Sequence, residues 1–374
     1  MRTWLLAALI IVALIAGVTL GFIVTPTKTI TTTSTVKLVE TESITVTMTK
    51  TSVFTVTTTA TTTKTLQKPV IVVVDARGST LEFESTPRRV VALTPAIAEI
   101  VCMLDCSRLV GVVTPVTYPP ELVKAVKEGS VETVGGYWSP DAEKILALKP
   151  DLVIADLGVP KDVIIAGVLE QQGVKVLFVK GGKATTIDDV VRDVMLIATV
   201  LNETKKVQEW KHELDSTVEV ITKELEKVNA TRPSALIVLG PPSWGLWVAG
   251  GGTFIDALLK IAGGTNAAGK YHGWVQLSYE DALELNPSKL IITVMGSTGK
   301  GTQYLEAWKK TPLNNTEAFR TGAACVVMGP ADDAIVRPGP RIIYGIQILA
   351  YILHPDLFKP PTDYAKYIVC LRQP

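Results

Sequence analysis

The chain has 374 residues and a net charge of +1, from 37 Lys and Arg against 36 Asp and Glu. That length allows two or three domains, and so even a balance excludes a large basic face for nucleic acid. Four cysteines are too few for a disulfide scaffold and lack zinc-ligand spacing, while 47% hydrophobic residues leave ample core.

Trp4 to Val24 is an uncharged run of 21 residues behind Arg2. At about 1.5 Å per residue it spans a bilayer, and it exceeds the roughly 7–15 residues of a secretory apolar core. Residues 1–24 therefore read as a membrane anchor or signal, with the anchor favoured. Arg2 on the inside puts the rest of the chain outside the cytoplasmic membrane. No Cys follows to carry a lipid. Residues 25–67 read as a stalk, because 20 of the 42 residues from Thr25 to Leu66 are Thr. Such a tract cannot bury a core; it is expected to be extended and open to O-glycosylation, its strand-like β-branched content discounted. Anchor plus stalk suits a cell surface without an outer membrane, as in archaea, and sequons at Asn202, Asn229 and Asn314 agree with an outside location.

Residues 68–185 read as a first α/β lobe. A hairpin over Val70 to Phe83 turns at Gly78. Strands at Val90–Leu93, Leu109–Val113 and Val131–Val134 alternate with helices at Ala96–Leu104 and Tyr118–Lys127. Ser139 to Ala155, SPDAEKILALKPDLVIA, follows as a Ser cap, Pro at the first helical position, a short helix, a Lys-Pro turn and a buried strand. A helix at Asp162–Gln172 and a strand at Lys175–Val179 close the lobe. Strands alternating with helices imply a mostly parallel sheet covered on both faces.

Residues 186–230 read as a helical connector, with Val207, Trp210, Leu214, Val218, Ile221 and Leu225 at helical spacing on a long spine. Residues 231–374 read as a second α/β lobe. Its strands are Ala235–Leu239, Leu290–Val294 and Cys325–Met328, and Pro241 to Trp247 is a loop with two Trp. Helices are expected at Phe254–Ala262, Tyr304–Lys310 and Arg341–Leu353. Ser278 to Thr293, SYEDALELNPSKLIIT, repeats the earlier unit: Glu143 and Pro150 recur as Glu280 and Pro287, 137 residues on. The fold class is thus α/β, two Rossmann-like lobes joined by a long helix and preceded by the membrane segment and the stalk.

Five segments in order, RRVVALTPAIAEIV at 88–101, EKILALKPDLVIA at 143–155, VAGGGTFIDALLKIAGGTN at 248–266, WVQLSYEDALELNPSKLII at 274–292 and RPGPRIIYGIQILAYILHP at 337–355, resemble the metal-chelate class of ABC-transporter solute-binding proteins. The resemblance covers about Lys68 to Pro355. It implies a ligand cleft between two lobes, little closure, and capture of a ferric siderophore, haem or cobalamin-type corrinoid for an ABC permease dimer with its ATPase. It places the family's permease-docking glutamates on Glu143 and Glu280, the two acids the repeat singles out. An acid in a first helical turn also favours the helix dipole by about 0.3–1 kcal/mol, so either alone has a structural reading.

Tyr137 stands six residues before Glu143, as Trp274 does before Glu280. Paired aromatics at matched positions would face each other across the cleft and suit a flat chelate. Trp138, Trp244, Trp247 and Tyr118 are further candidates for ligand contact. Arg337 precedes the last helix, where the resemblance implies a guanidinium for ligand oxygens; a solvated charge is the competing reading. His272 near Trp274 could ligate a metal, but a surface His fits equally, and no resident metal or cofactor is expected beyond the chelate itself. Cys102 with Cys106 and Cys325 with Cys370 are either bridges or buried thiols. Gly296 to Thr302 lacks phosphate-loop spacing and reads as a surface turn. No GxSxG, HExxH or placed base points to an enzyme. A surface sensor or adhesin of the same fold, without a permease, is the alternative.

Overall fold

The computed structural model describes residues 41–49, 55–63, 71–295 and 300–372. The apolar segment Trp4 to Val24 lies outside the described residues, and among the described residues no helix is long and apolar enough to cross a membrane. The chain divides into two compact units, Met1–Val70 and Ile71–Pro374. In the first unit β1 (Thr41–Thr49) and β2 (Thr55–Thr63) pair antiparallel, with Thr41 opposite Thr63. Densely placed Thr, Val and Ile favour a pleated, extended backbone, and the discounted strand tendency is present here, where the two runs pair.

The second unit opens with the expected hairpin, β3 (Ile71–Val74) and β4 (Thr80–Phe83), turning at Gly78 with φ +83°. Its first half then runs β5 (Val90–Ala92), α1 (Pro95–Asp105), β6 (Leu109–Thr114), α2 (Pro120–Lys127), β7 (Glu132–Gly136), β8 (Ser139–Pro140), α3 (Ala142–Ala147), β9 (Leu152–Asp156), α4 (Pro160–Gln171) and β10 (Val176–Val179). The sheet order is β10-β9-β5-β6-β7-β8, parallel except for β8. β5 and β9 are buried at every position, as unbroken apolar runs in the middle of a covered parallel sheet must be.

The connector is two helices, α5 (Ile187–Leu201) and α6 (Thr204–Lys227). The break falls at Asn202, whose left-handed φ of +58° ends α5 and returns its N–H to the carbonyls of Ala198 and Thr199. α6 is the spine; it buries Val207, Trp210, Leu214, Ile221 and Leu225.

The second half comprises β11 (Ser234–Leu239), β12 (Leu246–Ala249), α7 (Phe254–Ile261), β13 (Thr265–Asn266), β14 (Trp274–Leu277), α8 (Tyr279–Leu285), β15 (Lys289–Thr293), α9 (Gly301–Lys309), α10 (Glu317–Thr321), β16 (Ala324–Val327), α11 (Gly329–Val336), α12 (Ile342–Leu353) and β17 (Ile368–Cys370). Its sheet runs β14-β12-β11-β15-β16-β17, with β13 also on β11. β11, β13, β15 and β16 are parallel; β12 and β17 run against them, and β14, antiparallel to β12, runs with them. Several readings change here. Trp247 belongs to strand β12, because Leu246, Val248 and Ala249 are buried and only Trp247 points out. Of the Gly296 to Thr302 turn, Gly301 and Thr302 begin α9, and Gly296 to Gly299 lie outside the described residues. Both cysteine pairs are bridged, Cys102 to Cys106 and Cys325 to Cys370, which excludes the buried-thiol reading. The second bridge ties the edge strand β17 to β16.

The repeat is a structural one with a different cap. Ser139-Pro140 stays extended, paired with Gly135 and Gly136, so Ser139 does not cap α3. Asp141 does, accepting from Glu143 N at 3.0 Å and Lys144 N at 3.1 Å. Ser278 caps α8 by accepting from Asp281 N at 3.0 Å. Asp141 and Ser278 are themselves 137 residues apart, as are Lys149 and Asn286, both left-handed at φ +47° and +38°, and the starts of β9 and β15 at Leu152 and Lys289.

Candidate functional site

The two halves touch through an aromatic ring. Trp274, at the start of β14, donates its indole N–H to Gly182 O at 3.0 Å, across from the second half to the first. Gly182 lies in a single 3₁₀ turn, Gly181–Lys183, just past β10. The turn is fixed from beneath by buried carboxylates. Asp156, the last residue of β9, accepts from Gly182 N at 2.9 and 3.0 Å and from Gly158 N at 2.6 Å. Asp193 of α5 accepts from Lys180 N and Gly181 N, both at 2.9 Å. Gly181 has φ +50°, and a Cβ there would lie 2.1 Å from the Asp156 carboxylate, so only glycine fits.

These carboxylates sit in a dry site. Burial pushes Asp156 up to about 7, against the lowering pull of the Gly158 and Gly182 amides. Asp162 is pushed up to about 8 by burial and by the neighbouring Asp156; it accepts from Asp156 N at 2.9 Å, and its Oδ1 is buried with no hydrogen-bond partner among the described residues. Asp193 rises to about 6 for the same first reason, burial. Tyr137 stands within electrostatic reach of Asp156, Asp162 and Arg337; burial above all lifts its phenol well above the usual range.

The predicted aromatics divide into groups. Tyr137 is half-buried at the end of β7 and stacks edge-on against Trp138, with centroids 4.5 Å apart, leaving Trp138 62% exposed. Trp274 is 38% exposed, its other ring contact an edge-to-face pair with Phe254 at 5.9 Å. Trp247 projects outward from β12, paired in register with Gln276 of β14. Trp244 is exposed in the turn after β11 and covers Gly240, where a Cβ would meet its ring at 2.3 Å. Tyr118 lies under the Arg341 guanidinium, 4.4 Å from its centroid. His272 is exposed, and no cluster of metal-ligating side chains occurs among the described residues. Two open grooves, of about 460 and 510 Å³, flank the spine helix and contain none of these aromatics.

Arg337 is not a free guanidinium. Its NH1 donates to Glu99 Oε1 at 2.7 Å and to Thr117 Oγ1 at 3.0 Å, and its NH2 meets Asp333 Oδ1 at 2.7 Å. Arg341 takes the same Glu99 side-on, Nε to Oε2 at 2.8 Å and NH2 to Oε1 at 2.6 Å. Sequence reasoning missed Glu99, Thr117 and Asp333. The available signal was a lone charge in PAIAEIVCMLD, a helix otherwise apolar through Val101: an acid there needs a buried partner.

Glu143 and Glu280 each occupy the second position of an equivalent short helix, exposed, with their carboxylates unpaired among the described residues. Each projects from the rim of its own sheet, since β8 and β14 are the edge strands that precede α3 and α8.

The periplasmic binding protein family model matches residues 90–325. The chain is 27% identical over 293 residues to the uncharacterized ABC transporter substrate-binding lipoprotein YvrC of Bacillus subtilis, covering 77% of this chain and 87% of that one. It is 27% identical over 284 residues to a cobalamin-binding protein of Halobacterium salinarum, covering 75% and 73%. Among solved structures, a periplasmic heme-binding protein from Pseudomonas aeruginosa shares the fold with a TM-score of 0.63 at 24% identity, over 77% of this chain and 99% of that chain.

Proposed function

The chain belongs to the periplasmic binding protein family, and from that premise we propose that it is the extracytoplasmic substrate-binding component of an ABC importer, holding a metal chelate between two α/β lobes. The observation that carries this reading is the seam at Gly182, where Trp274 of one half donates to a turn that the buried Asp156 of the other holds in place. Exposed Trp138, Trp244 and Trp247 add flat apolar faces, which suit the rim of a corrinoid, a porphyrin or a ferric siderophore. The names of the relatives, a cobalamin-binding protein and an Fe(3+)-citrate-binding protein among them, support that ligand class. With Arg337 engaged by Glu99 and Asp333, the aromatics rather than that guanidinium make the ligand contacts.

Delivery follows from the exposed acids. Glu143 and Glu280 stand at equivalent helix starts, as docking onto a two-fold permease requires, and the N-terminal segment would keep the protein at the outer face of the membrane. Binding and uptake measured on one variant test this. With Glu143→Ala and Glu280→Ala combined, uptake should fall while chelate affinity holds, because both carboxylates stand exposed on helices that follow the edge strands. Lost affinity would move the acids into the pocket. Unchanged uptake would remove them from docking and favour a surface sensor or adhesin.

A further inference from the structure

We propose that Glu99 is a positioning residue that sets the spacing of the two cleft walls. It projects from α1 of the first half into the second half, where it accepts from Arg337 and Arg341 together. Asp333 of α11 completes a set of two carboxylates and two guanidinium groups, with side chains between 1% and 11% exposed. Thr117, from the β6–α2 loop of the first half, donates to Asp333 Oδ2 at 2.8 Å and accepts from Arg337. The formal charges of the four groups cancel. None can leave without stranding a partner away from water.

The same short segment is held from three sides. Trp210 of the spine helix donates its indole N–H to Pro340 O at 2.9 Å. Gly339 lies against α1, where a Cβ would come 3.4 Å from Ala96 O. Arg341 is stacked on Tyr118 of the first half. Widening the seam breaks the forked contacts to Glu99. Paired, geometrically strict guanidinium–carboxylate contacts hold a spacing better than apolar packing, which tolerates sliding. The proposal does not depend on which ligand is bound, or on whether one is.

Spin labels on the ligand-free full chain test it, one at Lys161→Cys on the first half and one at Lys309→Cys on the second. Both lysines are exposed, and the native cysteines are all bridged and will not take label. The parent should give one narrow distance distribution. Glu99→Gln, which keeps the shape and removes the charge, should broaden and displace it. Arg337→Lys, which keeps the charge and loses the fork, should do the same, and Thr117→Val less so. Ile291→Val, a core change in β15, should lower the melting temperature and leave the distance alone. A folded Glu99→Gln or Arg337→Lys protein with the parental distribution overturns the proposal. So does an Ile291→Val protein that broadens as much, since lost stability would then explain everything. If Glu99→Gln fails to fold, Arg337→Lys and Thr117→Val decide by the same criterion.

Discussion

The two copies of the helix–Pro–strand unit share a backbone and differ in what stands around it. Asp141 and Ser278 cap the helices, Lys149 and Asn286 turn left-handed before a Pro, and β9 and β15 begin in step. Beside that frame the halves diverge. Six residues before the acid, Tyr137 is half-buried against Trp138, whereas Trp274 is exposed and reaches across the seam. At the strand end, Asp156 is a buried carboxylate, whereas its counterpart Thr293 donates a hydroxyl to Val238 O. The geometry that presents an acid is duplicated, and the geometry proposed to meet a ligand is not. A two-fold partner would read the first, an asymmetric chelate the second.

The wall residues should break this pairing most. Trp274→Ala should weaken chelate binding by about 1–3 kcal/mol, the cost of removing a large buried aromatic contact. Tyr137→Ala should cost less, because Trp138 remains on that wall. Titration of the folded variants with each chelate checks both, and an unchanged affinity for Trp274→Ala would remove the ring from the site.

The strand ends should differ in their response to pH. Asp156 and Asp162 are raised to about 7 and about 8, above an ordinary carboxyl near 4 in the unfolded chain. The folded state therefore binds more protons than the unfolded state between those limits. The stability these groups contribute is fully present below about pH 4 and is lost as pH rises through 7 to 8, at up to about 1.4 kcal/mol per pH unit for each proton of difference. Asp162→Asn should flatten that slope. Urea unfolding over a pH series measures it, and a parental slope in the variant would contradict the assignment. Thr293→Val, in the other half, should leave the slope as it was.

The shared frame predicts a smaller exchange. Asn tolerates the left-handed region better than Lys, so Lys149→Asn should stabilise by about 0.5–1 kcal/mol, and Asn286→Lys should destabilise by more, because it also loses the bond that Asn286 Oδ1 accepts from Glu317 N at 2.8 Å. Opposite signs in thermal unfolding would confirm that the positions are equivalent. The smallest expected effect is none: a chain beginning at Lys68 should fold and bind as the full chain does, because Ile71–Pro374 is a compact unit by itself.

The frame was legible in the sequence because it rests on local rules. Apolar runs, Pro and the recurrence of Glu and Pro at a fixed interval placed both helices and both strands. The cap at Ser139 misled because edge pairing of β8 with β7, a tertiary fact, keeps that residue extended. β12 escaped notice because a Gly-rich segment with two Trp has no clear period of two. Arg337 looked like a ligand group because its partners, Glu99 and Thr117, lie 238 and 220 residues away in sequence. The strand tendency of the stalk was written in its Thr content, and composition alone did not say that two runs would pair.

A metal chelate held at the seam between the halves would colour the protein. The most direct measurement is the absorption spectrum of the protein purified from its native host, followed by titration of the empty protein with haem, a corrinoid and a ferric siderophore. One of the three should give a stoichiometric visible band, diminished in Trp274→Ala. A colourless protein whose spectrum is unmoved by all three would contradict a chelate site at the seam.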